Sequence, residues 1–168
     1  MRILTGVMLL LLAGASAAHG GAAQDCNQVR DPDRQFRGCT AYIQSRKVHP
    51  QNRATAYLNR ANIYARRGRY DRALADYQAA SNLDPANPLI PYNLGNAQLD
   101  AAQHTPAEQA FTRAIALDAS FALAYFNRGI ARGRLGNAAG ADEDFRQAIE
   151  LDPTLEPAHR RLQNLPSR

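Results

Sequence analysis

Three stretches decide the fold: ALADYQAASNLDP at residues 73–85, AEQAFTRAIALDA at 107–119 and ADEDFRQAIELDP at 141–153. They recur at a fixed interval of 34 residues, and the match extends beyond them. Ala73, Ala107 and Ala141 align, as do the aromatics Tyr77, Phe111 and Phe145, and then Ala80, Ala114 and Ala148. Upstream, the small residues Ala61, Gly95 and Gly129 fall in one column. Self-similarity at this period is the signature of stacked supersecondary units, each too small to bury its apolar face alone.

Each copy holds two stretches of helical apolar periodicity separated by turn signals, such as Arg67-Gly68-Arg69 and Leu135-Gly136-Asn137, which predicts two antiparallel helices per copy. The small residues sit where helix backbones must approach closely, and the aromatic fills the wider gap. Asp-Pro ends the second helix because proline lacks the next donor and disfavours helical geometry before it. In the middle copy Thr105-Pro106-Ala107-Glu108 reads as a capping box, with proline at the first helical position.

This pattern resembles the tetratricopeptide repeat over about residues 54 to 155. Copy one carries Tyr57, Ala61, Tyr64, Gly68, Tyr70, Ala73, Tyr77, Ala80 and Pro85, with Arg60 where the family favours leucine. Copy two keeps Leu94-Gly95 but has Pro91 in an aromatic slot and Ala119 where proline is usual; copy three has Arg128 and Arg132 in place of apolar residues. The resemblance implies an all-α fold, a right-handed α-solenoid of tandem helix-turn-helix repeats spanning 54–87, 88–121 and 122–155, followed by a capping helix and tail over 156–168. Extending the register upstream gives a linker and a degenerate amino-terminal repeat over 19–53, a start that resembles some exported bacterial members of the family.

The first 18 residues read as a cleaved secretory signal: Met1-Arg2, an apolar run from Ile3 to Ala13, then Ala15-Ser16-Ala17. An uncleaved anchor is the alternative, but the run falls short of the roughly 20 apolar residues that span a bilayer. Ala23-Gln24-Asp25 before Cys26 offers no lipid-attachment pattern, so a periplasmic or secreted chain without stable membrane insertion is expected. In such a compartment Cys26 and Cys39, the only cysteines, are expected to form a disulfide. The reading against it, a redox or metal pair, lacks both the two-residue spacing and further ligands.

The net charge is +5 and Lys47 is the only lysine. The arginines alternate with acids instead of forming a tract, which argues against nucleic acid as partner. His49, His104 and His159 lie in different elements, and no nucleophile, metalloprotease or phosphate-loop motif occurs, so neither enzymatic activity, cofactor nor metal is expected.

Each first helix packs one stripe on its second helix, as with Tyr57, Arg60, Ala61 and Tyr64, and the opposite side is found by rotation. That side carries Leu58, Asn59, Asn62 and Arg66; then Leu89, Tyr92, Asn93, Asn96 and Asp100; then Leu123, Phe126, Asn127, Ile130 and Arg134. The resemblance implies that these faces line a concave groove, making Leu58, Asn59, Asn62, Arg66, Tyr92, Asn93, Asn96, Phe126, Asn127, Ile130 and Arg134 the candidate contacts for a protein or peptide. Two readings stand for the recurring Asn59, Asn93 and Asn127: contact with a peptide backbone, or structural hydrogen bonds. Leu58, Tyr92 and Phe126 are open between partner anchoring and packing between repeats.

Some tetratricopeptide domains hold a terminal carboxylate with basic residues and asparagines. Asn62 and Asn93 match two of those asparagines, but Leu58, Leu123 and Asn127 stand where cations are expected, so that recognition is not carried over. Homo-oligomerisation through the same apolar patches and binding of an anionic envelope polymer through arginines are the rival functions.

Overall fold

The computed structural model describes residues 21–28 and 30–163. The expected leader at 1–18 and the end of the tail lie outside the described residues. A short helix over 21–27, α1, is followed by α2 (Pro32–Gln44), α3 (Pro50–Arg66), α4 (Tyr70–Leu83), α5 (Leu89–Asp100), α6 (His104–Leu117), α7 (Ala122–Arg134), α8 (Ala138–Leu151) and α9 (Glu156–Gln163). The described residues contain no strand, and none of their helices is long and apolar enough to cross a membrane.

Helices pair as α3 with α4, α5 with α6 and α7 with α8, each hairpin packing on the next through α4 with α5 and α6 with α7. The first helices of successive hairpins also touch, α3 with α5 and α5 with α7, whereas no pair of second helices packs to that extent. The stack therefore closes toward its first helices and opens toward its second helices, which makes the first-helix side the concave wall of an α-solenoid.

Recurring residues sit where spacing requires them. Tyr77 and Phe111 are fully buried, Phe145 nearly so, each beneath the small residue of its own first helix. A Cβ on Gly95 would lie 2.6 Å from the Phe111 ring, and one on Gly129 would lie 2.7 Å from Phe145. Alanine columns at 73, 107 and 141 and at 80, 114 and 148 are almost wholly excluded from water, so interhelical distance is set by methyl groups.

The turns within hairpins also recur. Gly68 and Gly136 adopt positive φ, and the slot between them is filled by Ala102 at φ 57°. Each turn is closed by a hydrogen bond reaching back five residues: Arg69 N–H to Tyr64 O at 2.9 Å, Gln103 to Gln98 at 2.8 Å and Asn137 to Arg132 at 2.9 Å. This is the usual left-handed termination of a helix. It corrects the capping box expected at Thr105-Pro106-Ala107-Glu108: with the turn complete at Gln103, α6 starts at His104 and no side chain caps it. Thr105 and Pro106 lie inside the first turn, and Glu108 bonds Arg132 instead, at 2.8 Å.

The second helices end at Asp84, Asp118 and Asp152, whose backbones turn away from helical geometry. Asp118 accepts from the Ser120 N–H at 2.9 Å and hydroxyl at 2.7 Å, and Asp152 accepts likewise from Thr154. At Asp118 they stop α6 without the usual proline, because an Asx turn competes with the next helical bond. They also hold both carboxyls below the ordinary aspartate pKa.

At the amino end Cys26 and Cys39 are joined by a disulfide that fastens α1 to α2. The contact is close: a Cβ on Gly38 would lie 2.5 Å from that of Asp25. Gln35 donates to the Cys26 carbonyl at 3.1 Å, and so does Asn59 of α3 at 3.2 Å. At the other end α9 packs on α8 through the buried Ala158.

Candidate functional site

The concave wall is built from α3, α5 and α7, and its asparagines are largely engaged within the chain. Asn59 reaches the Cys26 carbonyl. Asn62 accepts from the Tyr77 hydroxyl at 2.7 Å. Asn127 donates to Asn96 at 2.8 Å and, more weakly, to the Tyr92 hydroxyl at 3.4 Å. Asn93 donates to the Leu89 carbonyl one turn back in its own helix, at 2.8 Å. These bonds join successive repeats, link the two helices of one hairpin or tie a side chain to its own helix, so the recurring asparagine has a structural job in this fold. Each amide has further donor and acceptor capacity beyond these bonds.

The apolar members divide. Leu58 is 8% exposed and belongs to the core, because Ile90 and Ala97 of the next repeat pack in the same cluster; this takes it off the accessible wall. Tyr92 and Phe126 are half-buried. Tyr92 contacts Phe121 and Phe111 with centroids 4.7 and 6.0 Å apart, and Phe126 contacts Phe145 at 5.7 Å. Each ring is thus packed in part and open in part. Of the apolar residues assigned to this wall, the most exposed are Leu89 and Leu123, at 48% and 42%, in equivalent slots of α5 and α7. Ile130 is half-buried, while Arg66, Asp100 and Arg134 are exposed. Arg66 and Asp100 exert opposite electrostatic influences on Tyr77, whose pKa is raised above its ordinary value chiefly by burial.

A feature that sequence reading missed lies behind the wall. Arg60 makes a two-pronged ion pair with Asp76 at 2.7 and 2.9 Å, and Arg128 makes the same pair with Asp144 at 3.0 and 2.7 Å. Arg132 joins the second cluster, 3.1 Å from Asp144. Asp76 and Asp144 are buried, and the hydrogen bonds that Arg60 donates to Asp76 raise the Arg60 pKa further. Both arginines reach back to a threonine of the preceding helix, Arg60 to Thr40 and Arg128 to Thr112, at 3.4 and 3.3 Å. In the middle repeat the same two slots hold Leu94 and Ala110. The signal was present in sequence: where the first helix departs from leucine to arginine, the second changes from alanine to aspartate.

Among the described residues no group of His, Cys, Asp and Glu could hold a metal ion, and both cysteines are disulfide-bonded. The wall offers shape, aromatic rings, amide groups and isolated charges.

Comparison with known proteins agrees with this geometry. Models of the TPR repeat match residues 61–101 and of the tetratricopeptide repeat residues 122–155. The chain is 36% identical to RNA polymerase II-associated protein 3 of Xenopus laevis over 100 residues, 60% of this chain and 15% of that protein. It thus spans only about 15% of the length of these curated relatives. Among solved structures it is similar to the second TPR domain of human RPAP3 in complex with HSP70 peptide SGPTIEEVD, with 33% identity, a TM-score of 0.66 and coverage of 71% of this chain and 99% of that one. The first TPR of Spaghetti (RPAP3), bound to HSP90 peptide SRMEEVD, gives 30% identity, a TM-score of 0.66 and coverage of 68% and 91%. A crystal structure of MamA protein shares the fold across more of the chain, with a TM-score of 0.73, 22% identity and coverage of 90% and 80%. With its period, its paired helices and these relatives in agreement, the chain belongs to the tetratricopeptide-repeat family.

Proposed function

We propose that this protein is a non-enzymatic adaptor that holds a peptide or protein segment along the wall formed by α3, α5 and α7. The observation that carries the reading is the exposure of Leu89 and Leu123 in equivalent slots on that wall, beside the half-open edges of Tyr92, Phe126 and Ile130. The core is complete without them, so these groups are free to be covered by a guest. The peptide complexes of the RPAP3 domains support this use of the scaffold.

The ligand proposed here differs from peptides gripped by their terminal carboxylate. The slots at 58, 123 and 127 hold Leu58, Leu123 and Asn127, and Leu58 is in the core. An extended or helical segment with apolar side chains, oriented by the spare amide capacity of Asn93, Asn96 and Asn127, fits the lining better. The leader-like start and the joined cysteines support action outside the cytoplasm, periplasmic or secreted.

Replacing Leu89 and Leu123 together by arginine tests the reading, since both are half-exposed and the fold should tolerate the change. Loss of a bound peptide with unchanged far-ultraviolet circular dichroism is expected. Retention of every bound peptide would reject it, and loss of concentration-dependent light scattering instead would assign the same residues to self-association.

A further inference from the structure

The groove ends differently from how it begins. At the junction between the second and third hairpins, Asn127 of α7 faces Asn96 and Tyr92 of α5 and bonds to both. One period later the same slots hold Arg161 of α9, Ile130 and Phe126. An isoleucine and a phenylalanine accept no hydrogen bond, so the arginine has no counterpart there. The change reaches the second helix as well: the Tyr77 hydroxyl is received by Asn62, whereas Phe145 has no hydroxyl and is matched by Ile130.

The result is a cleft of ≈ 260 Å³ between α7, α8 and α9, floored by Ile130, Ala141 and Phe145, with Arg134 and Arg161 at its sides. Gly129 and Gly133 also line it, and the bare Gly133 leaves room: a Cβ there would meet only the Ala141 methyl, at 3.9 Å. Arg134 and Arg161 are exposed and have no ion-pair or hydrogen-bond partner among the described residues. Arg60, Arg128 and Arg132 by contrast all meet carboxylates. Two unpaired cations flanking an apolar floor complement an anion carried next to an apolar side chain, and the apolar surroundings strengthen that pairing relative to open water.

We infer that this cleft takes an apolar side chain of the bound segment together with the carboxylate of a neighbouring aspartate or glutamate. The inference rests on the peptide-groove reading above and adds its ligand chemistry at one end: an acidic-apolar step, read by Arg134 and Arg161 over Ile130 and Phe145. None of these residues occupies the slots from which a terminal carboxylate would be held, so the anion is assigned to a side chain within the segment.

The test uses the 15N-labelled chain and three acetylated pentapeptides, followed through the backbone amides of Gly129 and Gly133. Amidated ALELA is expected to shift both amides and to bind about fivefold more tightly than amidated ALQLA, the scale of two partly exposed ion pairs. That preference should shrink as salt is raised and vanish in Arg134→Gln/Arg161→Gln, a surface pair whose loss leaves the core intact. Equal binding of the two peptides overturns the inference, as does a preference that survives in the double variant. So does ALQLA with a free carboxyl end binding as well as ALELA, which would assign the arginines to a terminal carboxylate. If amides of Asn96 and Asn127 respond while those of Gly129 and Gly133 stay silent, the groove stands and the cleft assignment falls; if no amide responds, both fall.

Discussion

The pairing of Arg60 with Asp76 can be dissected because the middle repeat already shows its replacement. Asp76→Ala would leave Arg60 without its carboxylate in a place where the Arg60 side chain is 16% exposed and that of Asp76 is 9% exposed. Stranding a buried charge costs about 3–5 kcal/mol, and the residual exposure of Arg60, which lets it turn toward water, reduces the expected loss to about 2 kcal/mol. Arg60→Leu alone strands the carboxylate and removes the cation from the Tyr57 and Tyr64 rings, at 5.6 and 5.9 Å, for a similar loss. The double variant imports the Leu94 and Ala110 pair and should come within about 1 kcal/mol of the parent, because an apolar pair can replace a buried ion pair at little cost. The coupling is then about 3 kcal/mol. Urea unfolding followed by circular dichroism reads it, and each single variant should melt roughly 5 °C lower than the parent for a chain of this size. Additive losses, with the double variant worse than either single one, would refute the account of these arginines as half of an exchangeable pair.

Other consequences follow from particular contacts. Ala102→Gly should stabilise the chain by about 0.5–1 kcal/mol, because Ala102 occupies the left-handed turn that glycine fills in the other two hairpins; a lower urea midpoint would contradict it. Reducing the disulfide, or replacing Cys26 and Cys39 by serine, removes a cross-link over a loop of 13 residues and should cost about 3 kcal/mol. Hydrogen exchange should show the loss first in α1 and α2, and uniform loss along all hairpins would refute a local role. The depressed carboxyls of Asp118 and Asp152 owe their shift first to the hydroxyls of Ser120 and Thr154. Because their folded pKa lies below the unfolded one, their contribution is present above roughly pH 4 and is lost as pH falls through the folded value. Asp118→Asn/Asp152→Asn should therefore flatten the acid limb of the stability curve, measured by urea midpoints from pH 5 to pH 2; an unchanged limb would refute it.

The period made the paired helices legible, since alanine, glycine and aromatic columns encode interhelical distance independently of surface composition. The cysteine pair was legible for a different reason, having no other partner in the chain. Less visible was where α6 begins: its start is fixed by the positive φ of Ala102, and alanine carries no turn signal. The wall was read from rotation about single helices, which places Leu58 outward; packing between repeats then covers it with Ile90, a contact that single-helix geometry does not contain. Arg161 falls one period after Asn127 but lies beyond the last full copy, so the repeat columns do not mark it. The charge pairs were hidden because arginine in an apolar slot looks like a surface substitution until its aspartate on the partner helix is counted.

Selection of a random-peptide display library on the immobilised chain tests the central claim most directly, with each enriched peptide rebound to two variants. Leu89→Arg/Leu123→Arg alters the wall of first helices, and Leu74→Arg/Gln78→Arg alters α4, a second helix, at two exposed positions. Enriched peptides are expected to lose at least tenfold in affinity for the first variant and to bind the second as they bind the parent. Peptides that are lost with the outer substitutions and indifferent to the inner ones would contradict the claim that the concave wall is the binding surface.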